Sequence, residues 1–129
     1  MSEVRHTDPQ TGGQKGVKPE RFELIPWDAM EEVARVYGAG PAKKGYDEWN
    51  WLRGYSWSLS LGAAFRHLAK FSLGYDYDTG PKGTNCHHLA CAAWHCLTML
   101  TFFLRHLGTD DRKKSPVIDS NIWIDPDED

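Results

Sequence analysis

The chain has 129 residues, 40% of them hydrophobic and 26% charged, with a formal net charge of -3. That length sets a single domain, and the mildly acidic balance excludes a globally basic binder of duplex nucleic acid, which needs a concentrated cationic surface. No apolar run reaches membrane-spanning length, and the opening MSEVRHTDPQTGG lacks the apolar stretch of a signal peptide, so neither membrane nor secretion is expected. Three cysteines crowd into residues 86–96. An odd number so placed predicts reduced thiols in a cytoplasm rather than a disulfide framework.

Charge is unevenly spread. Residues 1–25 carry four acids and four bases, residues 26–108 seven acids and eight bases, and the last 21 residues seven acids against three bases. Aromatic residues are uneven too: of six Trp, five Tyr and five Phe, five fall between Tyr46 and Trp57. Large rings bury well in any core, but crowding among glycine and charge suggests a surface for a flat ligand.

Residues 1–21 read as an extended arm, because Gly12, Gly13 and Gly16 loosen the backbone, Pro9 and Pro19 block helix, and no apolar period appears. Pro26 with Asp28, Glu31 and Glu32 marks a helix start. Ala29, Met30, Val33, Val36 and Tyr37 continue it to residue 37, where Gly38, Gly40 and Pro41 are expected to stop it. Residues 41–56 read as loop with one helical turn around Asp47–Leu52. A second helix is predicted from a Ser56 or Ser58 cap, with Trp57, Leu61, Ala64, Phe65, Leu68 and Phe71 on its apolar stripe and Gly74 at its end. YDYDTGPKG, residues 75–83, reads as an acidic turn.

The third helix is predicted from Asn85 to Leu107, with Thr84 or Asn85 as cap. Leu89, Ala93, Cys96, Leu97, Leu100, Phe103, Leu104 and Leu107 share one arc of it, which is expected to face the core. PVIDSNIWIDP alternates enough for a short strand near the acidic C-terminus. The expected fold is therefore all-α: three main helices, an extended N-terminal arm and a short tail. Three helices of this size bury little alone, so a homo-oligomer is expected.

The other arc of the third helix carries His87, His88, Cys91, His95, Thr98 and His106. His88, Cys91 and His95 stand at i, i+3 and i+7, where imidazole and thiolate can share a metal ion, with Asp76 or Asp78 adding a carboxylate. The plainer reading is a polar stripe facing solvent or a partner helix, with Cys91 a small packed residue. A magnesium-type hydrolase needs paired carboxylates on facing helices, and only Asp28 with Glu31 or Glu32 offers such a pair. Those acids equally suit a helix N-terminus.

Cations recur beside glycine and rings. Lys15, Lys18 and Arg21 lie on the arm, Lys43, Lys44 and Arg53 flank the aromatic cluster, and Arg66 and His67 sit in the second helix. GGQKGVK is no Walker loop, but cations beside stacking rings suit a nucleotide. Arg66, next to Phe65 and Leu68, is expected to be partly buried, with a phosphate, Asp76 or Glu31 as its partner. The base is expected on Trp51, Trp49 or Tyr46, with Asn50 reading a purine edge; the competing reading makes Trp51 a core residue that pins the loop to the second helix.

The order GGQK, KPERFELIP, AMEEVARVYGAG, KKGYDEWNW, WSLSLGAAFRHL, GYDYD and HHLACAAWHCLTML resembles the phage-associated dATP/dGTP diphosphohydrolase N-terminal domain family over about residues 12–105. The resemblance implies a small helical phage protein acting on or binding a purine nucleotide. The chain departs from the family pattern where acids are usual: none follows Lys15, and Tyr75 and Thr79-Gly80 replace others. Cys91 stands at the family's second His and His95 at its Asn. A hydrolase tolerates such losses poorly, whereas a binding pocket tolerates them well.

The expected function is thus a phage-type nucleotide-binding protein of the bacterial host's cytoplasm, with sequestration of a nucleotide-derived immune signal as its role. The alternative is a purine dNTP diphosphohydrolase using magnesium or manganese, and the third is a helical module that binds a protein. The layout expected is an arm over 1–21, a nucleotide-binding helical domain over 22–108 and an acidic tail over 109–129. Ligand contacts are assigned to Lys15, Lys18, Arg21, Lys44, Tyr46, Trp49, Asn50, Trp51, Arg66 and His67, and metal contacts to Asp76, Asp78, His88, Cys91 and His95. No catalytic residue is assigned.

Overall fold

A computed structural model describes residues 4–113, and the strand expected in PVIDSNIWIDP lies outside them. The arm is a β-hairpin, so the fold is mostly helical rather than all-α. Strand β1 (Val4–Thr7) pairs antiparallel with β2 (Gln14–Val17), Val4 opposite Val17 and Thr7 opposite Gln14. Its turn is closed locally. The Asp8 carboxylate accepts from the N–H groups of Gln10 (2.8 Å) and Thr11 (2.9 Å), and Gly12 takes φ +76°. Those N–H groups hold the Asp8 carboxyl below its ordinary pKa. Nearly every hairpin side chain is exposed, which is why no alternation of apolar and polar residues betrays the strands.

Helix α1 (Trp27–Ala39) begins after Pro26 as expected but outlasts its predicted stop. The chain continues as one π-helical turn, Gly40–Lys44, and ends on Gly45 at φ +73°. Pro41 has no N–H to donate, and the wider turn accommodates that loss without abandoning helical geometry. On the outer face, Glu31 and Glu32 pair with Arg35 at 3.5 and 3.3 Å. These acids belong to the helix surface. The predicted turn in the next segment is a 3-10 turn, Asn50–Arg53.

Helix α2 (Trp57–Ser72) and helix α3 (His88–Arg105) pack against each other, and α1 packs on α3. Ser56 precedes α2 but its side chain makes no capping bond. The cap comes from the far end of the chain: Asp111 accepts from the Ser58 N–H (2.9 Å) and from the Ser58 hydroxyl (2.5 Å). The Trp57 N–H donates to the Thr109 carbonyl, and the Trp57 indole donates to the Leu107 carbonyl, each at 3.0 Å. Helix α3 starts at His88 rather than Asn85, because Asn85 turns to φ +61° and the His87 ring accepts from the Leu89 N–H.

The facing of α3 reverses the expectation. Its buried residues are His88, Cys91 and Thr98 of the arc read as polar, together with Ala90, Ala92 and Phe102. Leu100, Phe103 and Leu104 are 52%, 60% and 66% exposed. Small and polar side chains let α1 and α2 come near α3, and the bulky arc is left outside. The core is correspondingly slight: Val33, Ala63, Ala64, Ala90 and Ala92 are buried along with Phe102, whose ring meets Tyr55 edge-on at 5.0 Å.

Where the C-terminal segment returns to the start of α2, Gly54 (φ +84°) and Gly108 (φ +68°) let two backbones meet. A Cβ on Gly54 would lie 2.5 Å from the Gly108 nitrogen. Gly54→Ala should therefore cost about 1–3 kcal/mol, a drop of roughly 4–8 °C in Tm per kcal/mol. Gly62→Ala, inside α2 with open space around it, should instead gain about 0.5–1 kcal/mol. Thermal melts of the two variants check this, and a Gly54→Ala melt at or above the parent's contradicts it.

Candidate functional site

A cavity of about 1040 Å³ opens between the end of α1, the 46–55 segment, α2, the 78–84 loop and α3. The π-helical turn builds one wall. It directs Lys43 to the Thr84 carbonyl (2.8 Å) and Lys44 to the Lys82 carbonyl, tying the end of α1 to the 78–84 loop. That loop folds back on itself: the Asp78 N–H donates to the Cys86 carbonyl and the Asn85 N–H to the Asp78 carbonyl, both at 2.8 Å. Gly83 is needed there, since a Cβ would run into the Asp78 and Thr79 carbonyls. Asp78 is thereby laid beside the first turn of α3.

Aromatic rings form another wall. Tyr37 meets Trp51 edge-on at 5.6 Å and Trp94 at 5.7 Å, and Trp94 meets His95 edge-on at 4.8 Å. Trp51 is half-buried at the cavity wall, and the buried Trp94 indole N–H has no hydrogen-bond partner among the described residues. A cavity this size, ringed by aromatic side chains and a few polar groups, has the dimensions of a small-molecule site.

Of the residues assigned from sequence, Lys44, Tyr46, Asn50, Trp51, Arg66 and His67 line this cavity together with Asp78, Cys91 and His95. Trp49 is exposed and is not among the lining residues. Lys15 and Lys18 lie on and just after β2, and Arg21 pairs with Glu23, all three away from the lining. Asp76 and His88 sit behind the wall, where the Asp76 carbonyl accepts from the His88 N–H at 2.7 Å. Arg66 is exposed rather than partly buried and forms no ion pair among the described residues, so neither Asp76 nor Glu31 is its partner. Sequence reasoning passed over Tyr37, Ser60, Lys70 and Lys82. Lys70 was legible, one helical turn beyond Arg66.

Burial and neighbouring charge set the protonation of the site. Burial, with the charges of His67 and Arg66 adding to it, pushes His95 down to about 4. Burial also lowers His67, against the pull of Asp78, with His88 and Arg66 assisting. Burial would raise Asp78, but the Thr84 N–H and hydroxyl, each 3.0 Å away, hold it below its ordinary value. Burial raises the Cys91 thiol. At neutral pH the floor thus presents neutral imidazoles, a thiol and a carboxylate, while Lys44, Arg66, Lys70 and Lys82 supply the cations.

Ser60, 1% exposed, joins this floor to the core: its hydroxyl lies 2.6 Å from the Tyr55 hydroxyl and 2.9 Å from His95 Nδ1. Ser60→Ala would leave both partners without it, at a cost of about 1–3 kcal/mol. The expected result is a lowered Tm with an unchanged circular dichroism spectrum. An unchanged Tm would show that the trio adds nothing to stability.

The family model for the dATP/dGTP diphosphohydrolase N-terminal domain matches residues 9–112, the hairpin turn, all three helices and the returning segment. No curated protein and no solved structure matches significantly. The match runs over most of the chain and every wall of the cavity, and the chain belongs to the dATP/dGTP diphosphohydrolase N-terminal domain family.

Proposed function

We propose that the cavity binds a purine nucleotide or a nucleotide-derived signal and holds it intact, as a phage protein that sequesters a host immune messenger would. One observation carries the reading: a single cavity unites the rings of Tyr46 and Trp51 with Lys44, Lys70, Lys82 and Arg66. A base stacked on a ring gains about 1–3 kcal/mol, and phosphate oxygens accept charge-assisted hydrogen bonds from lysine and arginine. The Trp94 N–H and the Asn50 amide add polar groups for the base edge. The family's description supports a purine nucleotide as ligand class.

Retention without hydrolysis is supported by the donor set. Magnesium takes oxygen ligands in near-octahedral array. Among the described residues the one convergent group of three metal-binding side chains, His67, Asp78 and Cys91, offers one carboxylate, one imidazole and one thiol. Glu31 and Glu32 are spent on Arg35 at the outer face of α1. These residues do not fit a magnesium centre.

Calorimetric titration with dGTP and dATP tests the pocket. Trp51→Ala and Arg66→Ala should each weaken binding by about tenfold, as a loss near 1.4 kcal/mol does, while Lys18→Ala on the hairpin changes it little. Equal losses for Lys18→Ala and Arg66→Ala would move the phosphate to the arm. Release of pyrophosphate from either nucleotide with magnesium or manganese would replace sequestration with hydrolysis.

The same reading takes the working form to be an oligomer of this chain. Phe65 and Leu68 on α2 and Leu100, Phe103 and Leu104 on α3 are exposed, and the Trp57 ring touches that of Phe103 at 6.4 Å, joining the two helices. Bulky apolar residues so exposed, over a core built largely of alanines, favour burial against a second copy. Size-exclusion with light scattering should report a dimer or larger, reduced to monomer by Phe103→Glu with Leu104→Glu. A parent monomer of 14.7 kDa at micromolar concentration contradicts it.

A further inference from the structure

Beneath the stacking rings and the rim cations, the floor of the cavity carries a second constellation. One donor atom from each of His67, Asp78 and Cys91 lies within 4.8 Å of the other two. Three different elements contribute them: the middle of α2, the folded-back loop and the first turn of α3. Cys91 is 2% exposed, and among the described residues its thiol meets the Thr84 hydroxyl, with Oγ1 3.5 Å from Sγ. The same Thr84 hydroxyl and its N–H bond Asp78, so a single residue fixes the carboxylate and the thiol relative to each other.

His67 is oriented as well. Its Nδ1 stands 2.9 Å from Nδ1 of His88, so one ring donates to the other, and its plane stacks on His95 at 5.9 Å. A ligating imidazole is characteristically held by a second polar partner of this kind. The donors are chemically matched to one class of ion. Imidazole, thiolate and a carboxylate suit zinc and its borderline-soft neighbours, whereas magnesium and calcium take oxygen alone.

We infer that His67, Asp78 and Cys91 form a binding site for a divalent cation of the zinc class, with its open coordination position toward the cavity. Three protein ligands leave a fourth tetrahedral position, the arrangement of sites that bind water or a ligand oxygen. All three residues line the cavity that also holds Arg66 and Lys44. When the ion enters, the Cys91 S–H bond breaks, the sulfur keeps the electron pair and binds the metal, and the proton leaves to solvent. His67 binds through a neutral ring nitrogen and Asp78 through an ionised oxygen, so neither needs to lose a proton. The ion then presents a positive centre for a phosphate oxygen. Only this last assignment rests on the nucleotide reading; the metal site stands on its own residues.

Cobalt(II) alone, added to metal-free full-length protein under reducing conditions, reads the site directly. The expected result is a near-ultraviolet thiolate-to-cobalt charge-transfer band that saturates at one equivalent and is displaced by zinc. Cys91→Ser should abolish the band, and Cys96→Ser, at an exposed position of α3, should keep it. His67→Gln should weaken cobalt affinity by about tenfold or more, which keeps the test decisive where Cys91→Ser fails to fold. No band in the folded parent, or a band that survives in folded Cys91→Ser, overturns the site. Calorimetry of nucleotide binding to the chelator-treated protein separates the two claims: binding there with no cobalt band rejects the metal site and retains the pocket.

Discussion

Apart from Phe102, the side chains that α3 buries are small or polar, and alanine, cysteine, threonine and histidine leave open the space beneath the 46–55 segment. A leucine or phenylalanine at Cys91, which lines the cavity, would take up part of that space. Here it stays open, walled by Trp51 and Trp94 and floored by His67, Asp78 and Cys91. The cavity, the outward turn of Leu100, Phe103 and Leu104 and the slightness of the core all follow from that one facing of the helix.

An open polar floor has to satisfy its own hydrogen bonds. Ser60 serves Tyr55 and His95, Thr84 serves Asp78 and Cys91, and His67 and His88 serve each other. These bonds come from separate elements, so they hold α2, α3 and the 78–84 loop in register where apolar packing is thin. Charge is then divided by position. Neutral imidazoles stay on the floor, where burial disfavours their protonated form, and lysine and arginine stand at the rim, where water supports them. A phosphate would meet the cations at the rim and a base would lie on the rings.

Much of this was legible in local sequence. Pro26 with its acids marks the start of α1, the stripe from Trp57 to Phe71 marks α2, and the aromatic cluster from Tyr46 marks the cavity wall. What escaped depends on distance or on context. The hairpin has both faces exposed, so its residues carry no period. The cap on α2 is Asp111, 53 residues from Ser58, and no local rule reaches it. The facing of α3 was inverted because apolar residues usually point inward, a rule that fails when a helix builds a pocket on one side and leaves its bulky apolar residues exposed on the other. Cys91 was singled out by its spacing to His88 and His95. Its convergence with His67 and Asp78 requires the reversal of the 78–86 segment, which only the three-dimensional structure supplies.

The central claim is that one cavity receives base and phosphate together, and a crystal of the protein grown with dGTP tests it most directly. The account predicts purine density against the Trp51 ring and phosphate density within hydrogen-bond reach of Arg66. Nucleotide density beside Lys15 and Lys18 on the hairpin, or a solvent-filled cavity at saturating dGTP, would contradict it.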